Sequence, residues 1–171
     1  EPGIAEAIAH LAELGHKHIG FLAGPAASWI NTDRWNLLMK NAVELGMTIA
    51  EISSNEPTLE GGKGAFERVR AAGVTAVVTY NDLMAIGLLR EATAAGVKVP
   101  AELSIIGFDN IFGSDFTNPP LSTIEMPLQK IGAEAVETLL KSFIAEDDEP
   151  MHGTTEVTSL LVRGSTAKAK A

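Results

Sequence analysis

The chain has 171 residues, 46% hydrophobic and 20% charged, an ordinary globular composition with length enough for one buried core. Thirteen Lys and Arg stand against 22 Asp and Glu, a formal charge of −9, and a surface that acidic repels phosphate backbones, so nucleic-acid binding by this chain is not expected. It has no cysteine, which removes disulfide scaffolds, thiol catalysis and cysteine-ligated metals, and no apolar run of about 18 residues that would cross a membrane.

In chain order, Ile4 to Leu14 reads as a helix entered almost at once after Glu1. There is no initial Met, and we read the chain as a piece of a longer protein. Four segments rich in Ala, Leu, Glu and Met end alike, at Gly15, Gly46, Gly73 and Gly96. Glycine accepts the left-handed conformation that stops a helix. A short apolar run follows each stop: 19–23, 47–52, 75–79 and 103–108. Continuous apolar runs of this length suit strands buried on both faces of a parallel sheet. The repeated order predicts an α/β fold, a doubly wound, mostly parallel sheet with helices on both faces. Beyond Asp109 come a loop with two phenylalanines and Pro119-Pro120, a strand-like piece at 121–126, and a helix from Pro127 to about Ala145. An acidic turn at 146–150 and a last strand at 154–162 follow, and 165–171 reads as a tail.

Open α/β sheets bind ligands beyond the carboxyl ends of their strands. There the sequence places Gly24 to Ser28, Ser53 to Pro57, Tyr80 to Asp82, and Asp109-Asn110, with Arg34 downstream of the first loop. That set suits a neutral, hydroxyl- or amide-rich small molecule. Each residue also has a plainer reading. Asp82 would cap the helix that follows it. Asn81 serves a turn or a ligand, and so does Asp109. Arg34 pairs on the surface with Asp33 or Glu44, or reaches the ligand. Trp29 stacks on a ring or covers the sheet end, and Trp35 belongs to the core. Leu83 to Leu89 is apolar all round, more than a one-sided surface helix needs. A second cover is therefore expected, a homodimer through Leu83, Met84 and Ile86 bordered by Phe112 and Phe116.

Enzyme motifs fail. Gly61-Gly62-Lys63-Gly64 looks like a phosphate loop, but Pro57 stands where a glycine is required and Gly64 where Ser or Thr is. There is no nucleophile elbow, no His-Glu-x-x-His spacing for a metal, and no cofactor is expected.

Taken together, several stretches closely resemble the lactose-repressor (LacI/GalR-type) transcription regulators, in their periplasmic-binding-protein-like effector domain. They are His10 to Ile19, Gly24-Pro25 with Arg34, Thr75-Ala76-Val77, Asn81 to Gly87, Gly96 to Pro100, Leu103 to Asn110, Pro119 to Ile124 and Leu161 to Thr166. The resemblance implies a bilobed receptor, a homodimer in the cytoplasm, and a DNA-binding headpiece in residues that precede this chain. By position it implies effector contacts at Arg34, Asn81 and Asp109, with Ser28 and Ile30 as variable first-loop contacts. It divides the chain into a C-terminal lobe (1–124), a crossover helix of the other, mostly absent lobe (125–152), a return strand (153–166) and a tail (167–171). Leu37 and Leu38 stand where the family has Gly and an aromatic. Pro57 stands where many members stack an aromatic on the ligand, so Trp29 is expected to substitute. A ribose-type solute-binding protein shares the fold, and an enzyme on a doubly wound sheet is the third reading. Val99-Pro100 with Leu103-Ser104, and Arg163 with Ser165-Thr166, favour the regulator.

Overall fold

The computed structural model describes residues 2–53, 55–144 and 157–170. Helix α1 (Pro2–Glu13) leads to strand β1 (His18–Leu22), helix α2 (Trp29–Glu44) and strand β2 (Thr48–Ile52). Two short helices follow, α3 (Leu59–Gly64) and α4 (Phe66–Ala71), then β3 (Ala76–Thr79), α5 (Asp82–Ala94) and β4 (Ser104–Asp109). The chain continues through β5 (Ser122–Glu125), α6 (Leu128–Ile144) and β6 (Ser159–Leu161). The described strands form one sheet with the order β2-β1-β3-β4-β5-β6, parallel except for antiparallel β6 on β5. The doubly wound, mostly parallel sheet expected from the sequence is what forms.

Alternation along the strands builds two cores. Phe21, Val78, Ile106 and Ile124 face α1 and α2, where Ile4, Ile8, Leu11 and Leu38 complete one cluster. Leu22, Val77, Ile105 and Leu121 face the other way and meet Phe66, Val69, Met84 and Leu88. The four predicted stops all adopt positive φ, from 64° at Gly73 to 86° at Gly15. The glycine-rich run rejected as a phosphate loop has a packing reason. A Cβ on Gly62 would fall on the Met84 carbonyl and one on Gly87 on the Leu59 carbonyl, so α3 and α5 touch backbone to backbone.

Three details differ from the sequence reading. The segment before Gly73 is two helices broken at Ala65, not one. Pro127 precedes α6 instead of opening it. The tail is docked: His16 Nε2 donates to the Ala167 carbonyl at 3.1 Å, and Ala169 N–H donates to the Leu14 carbonyl at 2.8 Å. The acidic turn at 146–150 and the first part of the last predicted strand lie outside the described residues.

Helix α6 exposes its apolar stripe. Val136, Leu139 and Phe143 are 58%, 53% and 78% exposed.

Candidate functional site

The strand order reverses direction between β1 and β3, the switch point where loops diverge and leave a crevice at the carboxyl ends. Arg34 reaches this crevice from the core face of α2, whose buried residues are Asn31, Arg34, Leu38 and Ala42. A guanidinium on a stripe that otherwise buries side chains must be compensated. Its Nη1 donates to the Tyr80 carbonyl, and its Nη2 lies 3.2 Å from Asp109 Oδ1. Its flat face covers the Phe108 ring with 3.6 Å to the centroid, with Tyr80 at 5.0 Å. The surface pairing of Arg34 with Asp33 or Glu44 is therefore replaced by a buried pair with Asp109.

Asp109, the last residue of β4, and Asn110, the residue after it, have φ of 102° and 52°. Non-glycine residues in this region carry backbone strain of order 1 kcal/mol each, held here by their side-chain partners. Burial pushes the Asp109 carboxyl above its ordinary range against the pull of Arg34, and burial lowers the Arg34 guanidinium. The Asp109 side chain stays 27% exposed, so the pair faces an opening.

The residues expected beside this pair divide. Ser28 Oγ lies 3.3 Å from Tyr80 Oη and also caps α2 by accepting from Asn31 N–H. Ile30 is half-buried, and Trp29 is 76% exposed. The Asn81 side chain is committed within the protein. Its Oδ1 accepts from Met84 N–H at 2.9 Å and its Nδ2 donates to the Pro57 carbonyl at 3.0 Å. Asn81, not Asp82, is thus the cap of α5. Asp82 is instead pulled into the interior, accepting from Thr123 Oγ1 at 2.7 Å and from Ile111 N–H at 2.9 Å. Burial raises its pKa to about 6. Its carboxylate rests where a Cβ on Gly107 would be, which is why β4 carries glycine there.

The surface offered to a second copy also needs one correction. Met84 is fully buried in the chain's own core and cannot reach a partner. Leu83 is 38% exposed, Ile86 is half-buried, and Phe112 and Phe116 are 92% and 70% exposed. The two phenylalanines meet edge to face at 5.2 Å.

Sequence reasoning placed Tyr80 at the strand ends without giving it a role, and it missed the aromatic wall Phe108 and a polar chain at the end of β5. In that chain Arg163 Nη2 donates to Asn110 Oδ1 at 2.7 Å, and Asn110 Nδ2 donates to Glu125 Oε1 at 2.8 Å. An aromatic residue next to Asp109 was the one available signal. The described histidines bond within the fold: His10 to Thr166, His16 to Thr75 and Ala167, His18 to Thr48 and Ala72. Among the described residues no group of three or more His, Asp or Glu is gathered to hold a metal. None of the described helices is long and apolar enough to cross a membrane.

A doubly wound sheet with compensated polar groups at its switch point is the architecture of a ligand-holding domain. The chain matches the periplasmic binding protein-like domain over residues 8–166 and belongs to that family. It is 35% identical to the HTH-type transcriptional regulator MalR of Streptomyces coelicolor, over 95% of this chain and 49% of that protein. A dimeric lac repressor with a C-terminal deletion superposes with a TM-score of 0.88 at 27% identity, covering 97% of this chain and 61% of the other. A LacI-family regulator from an Arthrobacter species, solved in complex with lactose, gives 0.82 at 28% identity over 95% and 63%. The likeness to lactose-repressor-type regulators carried by the motifs thus holds across nearly the whole chain, which spans about half the length of the curated relatives it matches.

Proposed function

We propose that this chain is the ligand-sensing part of a lactose-repressor-type transcription regulator and not an enzyme. It binds a small polar effector, a sugar or a nucleobase-like molecule, in the crevice beside Arg34 and Asp109. The observation that carries the reading is the Arg34–Asp109 pair: buried enough to be fixed, open enough to meet a ligand, and set at the switch point of the sheet. Ser28, Trp29 and Ile30 form the rim, and Asn81 shapes the site through its cap.

DNA contact belongs to a headpiece preceding this chain, so the whole protein works in the cytoplasm. Its dimer forms through Leu83, Ile86, Phe112 and Phe116, and sedimentation at tens of micromolar that found only monomer would remove that part of the reading. Residues 125–152 carry the α6 stripe, which packs on residues outside this chain or on another copy. The sensing role is tested by calorimetric titration with sugars and nucleosides. Asp109→Ala is expected to weaken the ligand found for the wild type by about 100-fold, the worth of a charge-assisted hydrogen bond in a desolvated site. Unchanged affinity would reject the site.

A further inference from the structure

We propose that Glu125 determines the specificity of this crevice by supplying a second fixed carboxylate beside Asp109, selecting a neutral, hydroxyl-rich ligand over its phosphorylated form. The proposal rests on the ligand-sensing reading above. Asp109 and Glu125 are register partners at the carboxyl ends of β4 and β5, so their backbones sit about one strand spacing, roughly 4.8 Å, apart. Both line one cavity of about 730 Å3, which shares Asp109 with the Arg34–Asp109 pair and has Ile111, Met126 and Leu128 on its apolar side.

The two carboxylates are held by different partners. Asp109 Oδ1 is taken by Arg34. Glu125 Oε1 is taken by Asn110, whose amide has one possible orientation. Its oxygen accepts from Arg163 Nη2 at 2.7 Å and from Ser114 Oγ at 3.2 Å, which turns its NH2 group toward Glu125. Among the described residues, nothing donates to Asp109 Oδ2 or Glu125 Oε2. Two acceptors offered to one cavity from adjacent strands match a ligand with several hydroxyl donors.

An anion meets the opposite situation. The Arg34 charge is already paired with Asp109, two of its five N–H donors go to Asp109 and the Tyr80 carbonyl, and Arg34 is not in the cavity wall. Lys130, the cation in the cavity wall, is 63% exposed and lies 3.9 Å from Glu134. A phosphate would face two carboxylates in a partly desolvated space, where like charges repel most strongly.

The test is calorimetric titration of the chain with millimolar glucose, lactose and adenosine, and with glucose 6-phosphate and AMP. Wild-type protein is expected to bind a neutral member at least about tenfold more tightly than the matched phosphate. Glu125→Gln keeps an oxygen for Asn110, so the fold is retained. Removing its charge-assisted acceptor is expected to weaken the neutral ligand by about 10-fold or more and to narrow the gap to the phosphate. Glu125→Lys is expected to reverse the preference. A ligand that binds wild type and Glu125→Gln alike, or a phosphate that binds wild type best, would overturn the proposal and leave the sensing reading standing. No binding by any member would overturn both.

Discussion

Asp82 and Asp109 both lie near the end of β4, and one is enclosed by the fold where the other is partly exposed. Asp82 has no exposure, accepts two hydrogen bonds from within the chain, and is pushed by burial to a pKa of about 6. Asp109 has an arginine partner and an open edge. The contrast teaches that burial alone does not mark a ligand residue. Asp82 ties the N-terminus of α5 to β5 and to the loop that carries Phe112, whereas Asp109 closes a charge pair onto a space another molecule can enter.

The sharpest way to break this comparison is Gly107→Ala. The new Cβ would coincide with the Asp82 carboxylate, so either that carboxylate or the strand must move. We expect a loss of about 3 kcal/mol in denaturant unfolding, the upper range for overpacking a core. A loss under about 1 kcal/mol would mean that Asp82 is loosely held.

The pH dependence gives a second contrast. With a folded pKa raised to about 6 from 3.8, Asp82 takes up its proton in the native state before the unfolded state does. Its contribution therefore favours folding at low pH and falls away as pH rises from about 4 to about 6, by up to about 3 kcal/mol. His16, lowered by burial, acts the other way as pH falls below 6.5, because the unfolded chain then takes the proton. The difference between wild type and Asp82→Asn isolates the Asp82 part. Their gap should shift toward the variant as pH rises through this window, and a gap independent of pH would contradict the assignment.

Much of this architecture was legible in the sequence because local signals agreed. The glycine stops and apolar runs place β1 to β4 within a residue of their observed bounds. What stayed hidden depended on partners distant in sequence. Asn81 and Asp82 are both good cap formers, and only Thr123 and the Ile111 amide, supplied by the fold, decide which one caps α5. The docking of 165–170 has no periodicity to read, because it rests on single hydrogen bonds such as Ser165 to the Ile105 carbonyl. In the site, Arg34 and Asp109 were readable as positions, but the Phe108 face, the Tyr80 carbonyl and the chain from Arg163 to Glu125 were not. The first two appear only when α2 lies over the ends of β3 and β4, and the third only when β4, β5 and the end of β6 lie side by side.

The central claim is that the crevice beside Arg34 and Asp109 holds the effector. A crystal structure of the chain with whichever sugar or nucleoside binds in solution tests it most directly. The account predicts that molecule at the carboxyl ends of β1, β3 and β4, with a hydroxyl or amide hydrogen-bonded to Asp109. The same molecule seated away from Asp109, on Phe116 or on Val136 and Phe143 of α6, with the crevice beside Arg34 and Asp109 unchanged, would contradict it.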